Sequence, residues 1–143
     1  MSNNQFKRGE LYSVINGVAS TAVARRLQKN FRNAGLEITI EQWSILYHLW
    51  KEDGLSQQEL CTRTYRDKAS ITRLIDNLEK LGLVERIASK DDRRVNMVYL
   101  TDAAKPLQEA TYNIANQTMN EALQGISKEE IEIVKSVFQR VYE

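Results

Sequence analysis

The chain of 143 residues carries one cysteine, Cys61, one histidine, His48, and one proline, Pro106. A lone cysteine excludes an intrachain disulfide and a cysteine-rich metal site. A lone histidine, without the H-E-x-x-H spacing, leaves no imidazole-based metal or acid–base constellation. There is no glycine-rich phosphate loop either, so an enzyme is not expected, and no cofactor or metal is implied. No apolar run approaches the roughly 18 residues of a membrane span. The polar N-terminus lacks the charged-then-apolar layout of a signal peptide, and a cytoplasmic protein is expected. Met1 to Gln5 should fray.

The residues that are present describe one globular domain, 1–143. Hydrophobic residues make up 42% and charged residues 27%, the balance of a soluble protein with a proper core. The formal charge of +1 carries no global message about nucleic acid.

Periodicity and punctuation order the chain. Ile15, Val18, Ala19, Ala22, Val23, Arg26, Leu27 and Phe31 recur at helical spacing, predicting one long helix from about Lys7 to Ala34 with Gly35 as its stop. Arg25, Arg26, Lys29 and Arg32 place positive charge towards its C-terminal end. Thr39-Ile-Glu-Gln42 is a capping box and opens a helix from Ile40 to about Lys51. Trp43, Leu46, Tyr47 and Trp50 form its stripe, Ile45 and Leu49 adjoin it, and Asp53-Gly54 ends it. Ser56-Gln-Gln-Glu59 is a second capping box and starts a short helix to about Thr62.

After a turn, Asp67 stands as N-cap of an amphipathic helix that stops at Gly82. Ile71, Leu74, Ile75, Leu78 and Leu81 make its apolar stripe. Lys68, Ser70, Thr72, Arg73 and Asn77 fall outside it. They are small, polar or basic, the kinds of side chain that reach base edges and phosphates. Leu83 to Ala88 and Val95 to Leu100 then read as an antiparallel hairpin whose tip carries Lys90, Asp91, Asp92, Arg93 and Arg94. Its alternation is imperfect, with Val95, Met97 and Tyr99 on one face and Val98 and Leu100 on the other. A helix with a polar reading face beside a basic-tipped hairpin is the pattern of a winged helix-turn-helix. A further helix from Thr101-Asp102 to about Leu123 should start late or irregularly, because Pro106 has no N–H to donate. Ser127-Lys-Glu-Glu130 is a third capping box, and Ile131, Val134, Phe138 and Val141 give the last helix its stripe, with Ile133 and Val137 beside it.

The order is thus α-α-α-α-β-β-α-α, mainly helical with a small β-hairpin wing. Charge is local: Ser56 to Arg94 holds nine Lys or Arg against seven Asp or Glu, and Arg63 to Arg73 holds four basic residues against Asp67 alone. That excess, on the turn and start of the second helix, has the form of a phosphate footprint; a solvated helix surface would look the same. The terminal helices exceed what a lone winged unit needs, so Ile15, Val18, Val23, Ile131, Val134 and Phe138 must be covered within the chain or by a second copy. A two-fold dimer would set two reading helices about one DNA turn (~34 Å) apart, matching a palindrome.

Two stretches are similar to the MarR family of bacterial transcriptional regulators. One is the wing, Asp92-Arg93-Arg94-Val-Asn-Met-Val-Tyr-Leu100-Thr101, with Asp and Arg ahead of a strand ending in Leu-Thr. The other runs from Ala69 through Ser70-Ile71-Thr72-Arg73 to Arg86 and resembles the family's recognition helix and following strand. The resemblance implies a homodimer built from residues 7–34 and 102–142, with a reading part over 40–101. It implies repression relieved by a small aromatic or phenolic effector or by oxidation. Ser70, Thr72 and Arg73 would face the major groove, Arg94 would enter the minor groove, and Asp92 would brace the wing. Arg66 and Lys68 are expected on phosphates; Asn77 and Arg93 complete the candidate DNA set. Effectors of the family occupy a cleft between the dimerisation helices and the winged unit, for which Tyr12, Trp43, Tyr47 and His48 are candidates. The family's oxidant-sensing cysteine lies in the first helix, where this chain has none, so Cys61 is read as a buried, inert thiol and His48 as a packed or surface residue. The competing reading is a winged helix used for protein contacts without specific DNA binding.

Overall fold

The computed structural model describes residues 4–143. Of the stretch expected to fray, residues 1–3 lie outside the described residues, while Asn4 and Gln5 are exposed and without regular structure. The elements are α1 (Tyr12–Ile15), α2 (Val18–Asn33), α3 (Ile40–Lys51), β1 (Leu55–Ser56), α4 (Gln57–Thr64), α5 (Lys68–Lys80), β2 (Val84–Ala88), β3 (Asn96–Leu100), α6 (Leu107–Ala122) and α7 (Lys128–Tyr142).

The long first helix is not continuous. Arg8 to Leu11 form turns, and Gly17 breaks the rest by adopting φ +62°, where a Cβ would lie 2.9 Å from Ser20 Oγ. The apolar spacing runs unbroken across that point because the interruption is in the backbone, which side-chain periodicity does not report. At the other end Gly35 terminates α2 as expected: with φ +77° it lets Leu36 N donate to Phe31 O (2.9 Å), the wrap that satisfies end-of-helix carbonyls.

The three capping boxes at Thr39, Ser56 and Ser127 all form, each with its reciprocal pair of side-chain–backbone bonds. Asp67 caps α5 as read, and α6 begins late, with Asp102 to Pro106 in turns and Pro106 at the N-cap. Leu81 is a correction. It lies one residue beyond α5, as its C-cap, and is exposed.

The wing has three strands rather than two. The antiparallel order is β1-β3-β2, with Leu55 opposite Val98 on one side and Arg86 opposite Val98 on the other. β1 is two residues long and shares Ser56 with the helix cap, so it has no alternation to read. Cross-strand partners share a face, which places Leu55, Val98 and Arg86 towards the core; Leu55 and Val98 are fully buried.

The core lies around α3 and the inner face of α5. Ile45, Leu46, Leu49, Leu60, Ile71, Ile75, Leu78 and Val98 are all inaccessible to solvent. α3 packs against α2, α4, α5 and β3, and α2 packs along α6, where Asn30 Nδ2 donates to Thr118 Oγ1 (2.8 Å). The ends of the wing are tied down. Asp53 Oδ1 accepts from Gly54 N (3.1 Å) and Leu100 N (2.9 Å), and Thr101 Oγ1 donates to Gly82 O (2.6 Å). That last bond gives the Leu100-Thr101 pair a physical role: it fastens the end of β3 to the stop of α5.

The terminal helices present an uncovered apolar surface. α7 has no buried residue, and Ile133, Val134, Val137, Phe138 and Val141 are exposed, as are Tyr12, Val14, Ile15 and Val18 at the other end of the chain. No helix among the described residues is long and apolar enough to cross a membrane.

Gly54 supplies a test of the packing. It has φ +73°, and a Cβ would meet Tyr99 Cε1 at 2.7 Å. Gly54→Ala should therefore lower stability by roughly 1–3 kcal/mol, read from urea unfolding. Combined with Tyr99→Ala it should cost less than the two changes summed, since one part of the penalty is the ring clash.

Candidate nucleic-acid interface

The turn before α5 is set by local chemistry. Tyr65 ends α4 in the left-handed region, φ 55°, the one positive-φ residue other than glycine among the described residues, and Arg66 N then donates to Cys61 O (3.2 Å). Asp67 Oδ1 accepts from Ser70 N at 2.7 Å. This bond to the ionised carboxylate is the main reason Asp67 titrates below its usual range. The helix start leaves Lys68 exposed and Arg66 half-buried.

The candidate reading residues do not share one face of α5. At 100° per residue, Ser70 and Asn77 fall on one shoulder, Thr72 on the other and Arg73 between them. Arg73 is exposed; Ser70, Thr72 and Asn77 are half-buried. The crest between the shoulders carries Ala69, Arg73, Asp76 and Lys80, all exposed.

The Thr72 shoulder is built into a network that the sequence did not reveal. Arg86, on β2, reaches across to α5: its Nη2 donates to Asp76 Oδ1 (2.6 Å) and Thr72 O (3.2 Å), and its Nη1 to Glu79 Oε1. Its Nε donates to Gln57 Oε1 (3.0 Å), and Gln57 Nε2 donates to Thr72 Oγ1 (3.3 Å). Arg86 was legible only as a strand residue, and Gln57 only as the first residue of a capped helix. Their meeting depends on the sheet register.

At the wing tip, Asp92 Oδ1 accepts from Arg94 N (3.0 Å) and Arg94 Nε (3.1 Å), with Oδ2 accepting from Arg94 Nη2 (3.3 Å). The guanidinium and this amide hold Asp92 below the usual carboxylate range. Arg94 nevertheless remains 91% exposed, so Asp92 aims it without covering it. Arg93 is exposed and makes no ion pair among the described residues. Lys68 and Arg94 line one cleft of about 270 Å³, together with Gln57, Gln58, Cys61, Val95 and Asn96. The start of α5 and the wing thus place cations on a common surface. Cys61 is half-buried there rather than fully buried, because its helix packs on the core by one side only.

The effector candidates divide. Trp43, Tyr47 and His48 neighbour one another, with ring centroids 6.2 Å apart for Trp43–Tyr47 and 5.2 Å for Tyr47–His48. Tyr12 is exposed on α1 and joins no aromatic pair among the described residues. Tyr112, not singled out from the sequence, is the hub of this cluster: it sits 6.3 Å from Trp43, 6.1 Å from Tyr47 and 5.9 Å from Trp50, and burial pushes its hydroxyl above the usual phenol range. A separate apolar cleft of about 450 Å³ is lined by Val23, Leu27, Trp43, Thr118, Met119 and Phe138, among others. Of the four candidates only Trp43 borders it, and the indole N–H of Trp43 is buried with no hydrogen-bond partner among the described residues. No group of three or more His, Cys, Asp or Glu side chains fit to hold a metal occurs among the described residues.

The MarR family model matches residues 38–95. A crystallised transcriptional regulator is 30% identical, with a TM-score of 0.74, covering 91% of this chain and 94% of its own. The chain belongs to the MarR family. A MarR-family regulator from Rhodococcus sp. RHA1 superposes with a TM-score of 0.83 at 18% identity, covering 97% of this chain and 96% of its own. A mutant MarR from E. coli complexed with operator DNA has a TM-score of 0.83 at 20% identity, covering 97% and 99%; these last two likenesses establish the fold. MarR proteins are transcription regulators, not enzymes, in keeping with the sequence reading. The matched residues 38–95 span α3 to the wing tip, so they include every candidate DNA contact named above.

The pH response of this MarR protein should follow His48. Burial, and then Arg63 and Lys51, lower its pKa from 6.5. A lowered histidine pKa means that the unfolded chain takes up the proton first as the pH falls. Its contribution to stability is present at neutral pH and is lost below about 6.5. Urea midpoints should begin to drop as the pH falls through about 6.5, and His48→Gln should flatten that decline.

Proposed function

We propose that this chain is a sequence-specific DNA-binding repressor that acts in the cytoplasm as a homodimer and is released by a small molecule. The observation that carries the reading is the shared placement of Lys68, at the start of α5, and Arg94, on the wing, around one cleft. Backbone contacts of that kind position a protein on a duplex, and the polar shoulders of α5 supply side chains able to read bases. Ser70, Thr72, Arg73 and Asn77 serve the major groove. Arg66 and Lys68 hold phosphates, aided by the positive end of α5. Arg94, aimed by Asp92 and flanked by Arg93, enters the minor groove, whose negative potential attracts a guanidinium. The operator complex of a relative with this fold supports the same use of these elements.

Residues 7–34 and 102–142 form the dimerisation part, and residues 40–101 the reading part, of a single domain spanning 1–143. The exposed apolar stripes at the two ends of the chain support that division. A second copy covering them sets two reading helices about one turn of DNA (~34 Å) apart, on a palindrome. For the effector, an aromatic acid or phenol suits the apolar cleft beside Trp43.

Binding to DNA upstream of its own gene tests the reading. The affinity should fall steeply as salt rises, and Arg94→Ala should weaken binding by roughly 5- to 150-fold (~1–3 kcal/mol) without changing the oligomeric state. A module used only for protein contacts gives no specific DNA complex. Sedimentation tests the dimer. The parent should run as two copies, and Phe138→Asp, which places a charge in the α7 stripe, should shift it towards one.

A further inference from the structure

The hydrogen-bond network on the Thr72 shoulder has a direction. An arginine donates and never accepts. Because Arg86 Nε faces Gln57 at 3.0 Å, the Gln57 carbonyl oxygen must be the atom on that side. The Gln57 amide nitrogen must then face Thr72, where it donates to Oγ1 at 3.3 Å. Arg86 is itself held against reorientation: its two remaining nitrogens are engaged by Asp76, Glu79 and the Thr72 carbonyl, and its side chain is only 18% exposed. The amide orientation at Gln57 is therefore set by chemistry.

The consequence falls on the threonine hydroxyl. Thr62, Thr64, Thr111 and Thr118 each donate their hydroxyl proton to the carbonyl four residues earlier. Thr72 makes no such bond among the described residues; its Oγ1 accepts from Gln57, and its proton is uncommitted. It is also half-buried at the edge of α5, with its backbone carbonyl pinned by Arg86, so its position is fixed while its proton and one lone pair stay open; a base acceptor engages the proton, whereas a base donor would leave it unsatisfied.

We propose that Arg86 is a positioning residue that, through Gln57, leaves the Thr72 hydroxyl as an outward donor, so that this position of the reading helix selects a base edge offering an acceptor. In the major groove that means guanine O6 or N7, adenine N7 or thymine O4; the amino groups of cytosine and adenine are disfavoured. Arg86 has a second effect in the same place. It neutralises Asp76 and Glu79, two carboxylates on the reading helix that would otherwise repel phosphate. The inference rests on the DNA-binding reading above.

The test is selection from a library of randomised half-sites followed by sequencing, with the parent compared to single variants. Gln57→Glu keeps an acceptor for Arg86 but offers only acceptors to Thr72. The threonine must then donate inward, and its outward polarity reverses. Thr72→Val removes the hydroxyl, and Thr72→Ser retains it. Gln57→Glu and Thr72→Val should each reduce the preference at the same single position of the half-site by about two- to tenfold, the scale of one hydrogen bond. Thr72→Ser should keep it. Arg86→Lys, which lacks the planar fork, should blur that position while other positions hold their preferences. A purely structural role would weaken binding to all sequences alike and leave the base preferences unmoved; that outcome, with thermal melts showing the variants folded, overturns the proposal. A parent that selects no sequence at all overturns the DNA-binding reading, and this inference with it.

Discussion

Burial of one side of α5 is the constraint on which the other features depend. Ile71, Ile75 and Leu78 are wholly removed from solvent, each stabilising the fold by roughly 1.5–3 kcal/mol relative to exposure. Three such residues at helical spacing determine the rotation of the helix about its axis. A turn of one residue, 100°, would bring polar Thr72 and Asp76 inward and Ile71 and Ile75 out. Which side chains are offered to a groove is therefore decided by the apolar ones that are not. The elements packed on that inner side are α3, α4 and β2, so α5 is held from several directions before any polar contact is counted.

Polar contacts then refine what burial leaves approximate. Asp67 fixes where α5 starts, and Thr101 Oγ1, bonded to Gly82 O, fixes where it ends relative to β3. Arg86 ties the middle of α5 to the strand that leads into the wing. The last two act at the middle and the end of the helix, which resists tilting as well as rotation. They also link the reading helix to the wing through the central strand β3, so the separation between the α5 surface and Arg94 is a property of the sheet register. One residue of slip in β3 would turn Val98 outward and move the wing tip by about 3.3 Å.

What was legible in the sequence was what is local. Thr39, Ser56 and Ser127 announce helices because the capping bond closes over three residues, and Asp67 does the same. Gly35 and Gly82 mark ends that no other residue accommodates as easily. Pro106 announces a late start because its missing N–H is a local defect. Features that depend on distant partners were not legible. β1 exists because Leu55 meets Val98; with two residues it has no pattern of its own. Gly17 hides inside a continuing apolar stripe. Arg86 and Gln57 are ordinary polar residues until register brings them together across 29 positions. Tyr112 reads as one more helix residue until α6 lies against α3. The division of the candidate reading set between two shoulders was not legible either, because it comes from helix rotation, which only the packed core determines.

The terminal helices raise the remaining physical question. α7 is a 15-residue helix with no buried residue, and isolated helices of that length are marginal in water even with favourable sequences. Its capping box and acidic first turn help the N-terminal end, but they do not offset an apolar stripe left in water. Cover by a second copy removes the difficulty and has a consequence for the reading unit. The hydroxyl of Tyr65, in the turn between α4 and α5, donates to Tyr142 O at 2.9 Å, with the two rings 6.4 Å apart. The far end of α7 therefore touches the turn that leads into the Asp67 cap. On the dimer reading, the helix that pairs the copies and the turn that aims the reading helix are in direct contact. On the proposed effector reading, a ligand in the cleft bordered by Phe138 would press on the same helix.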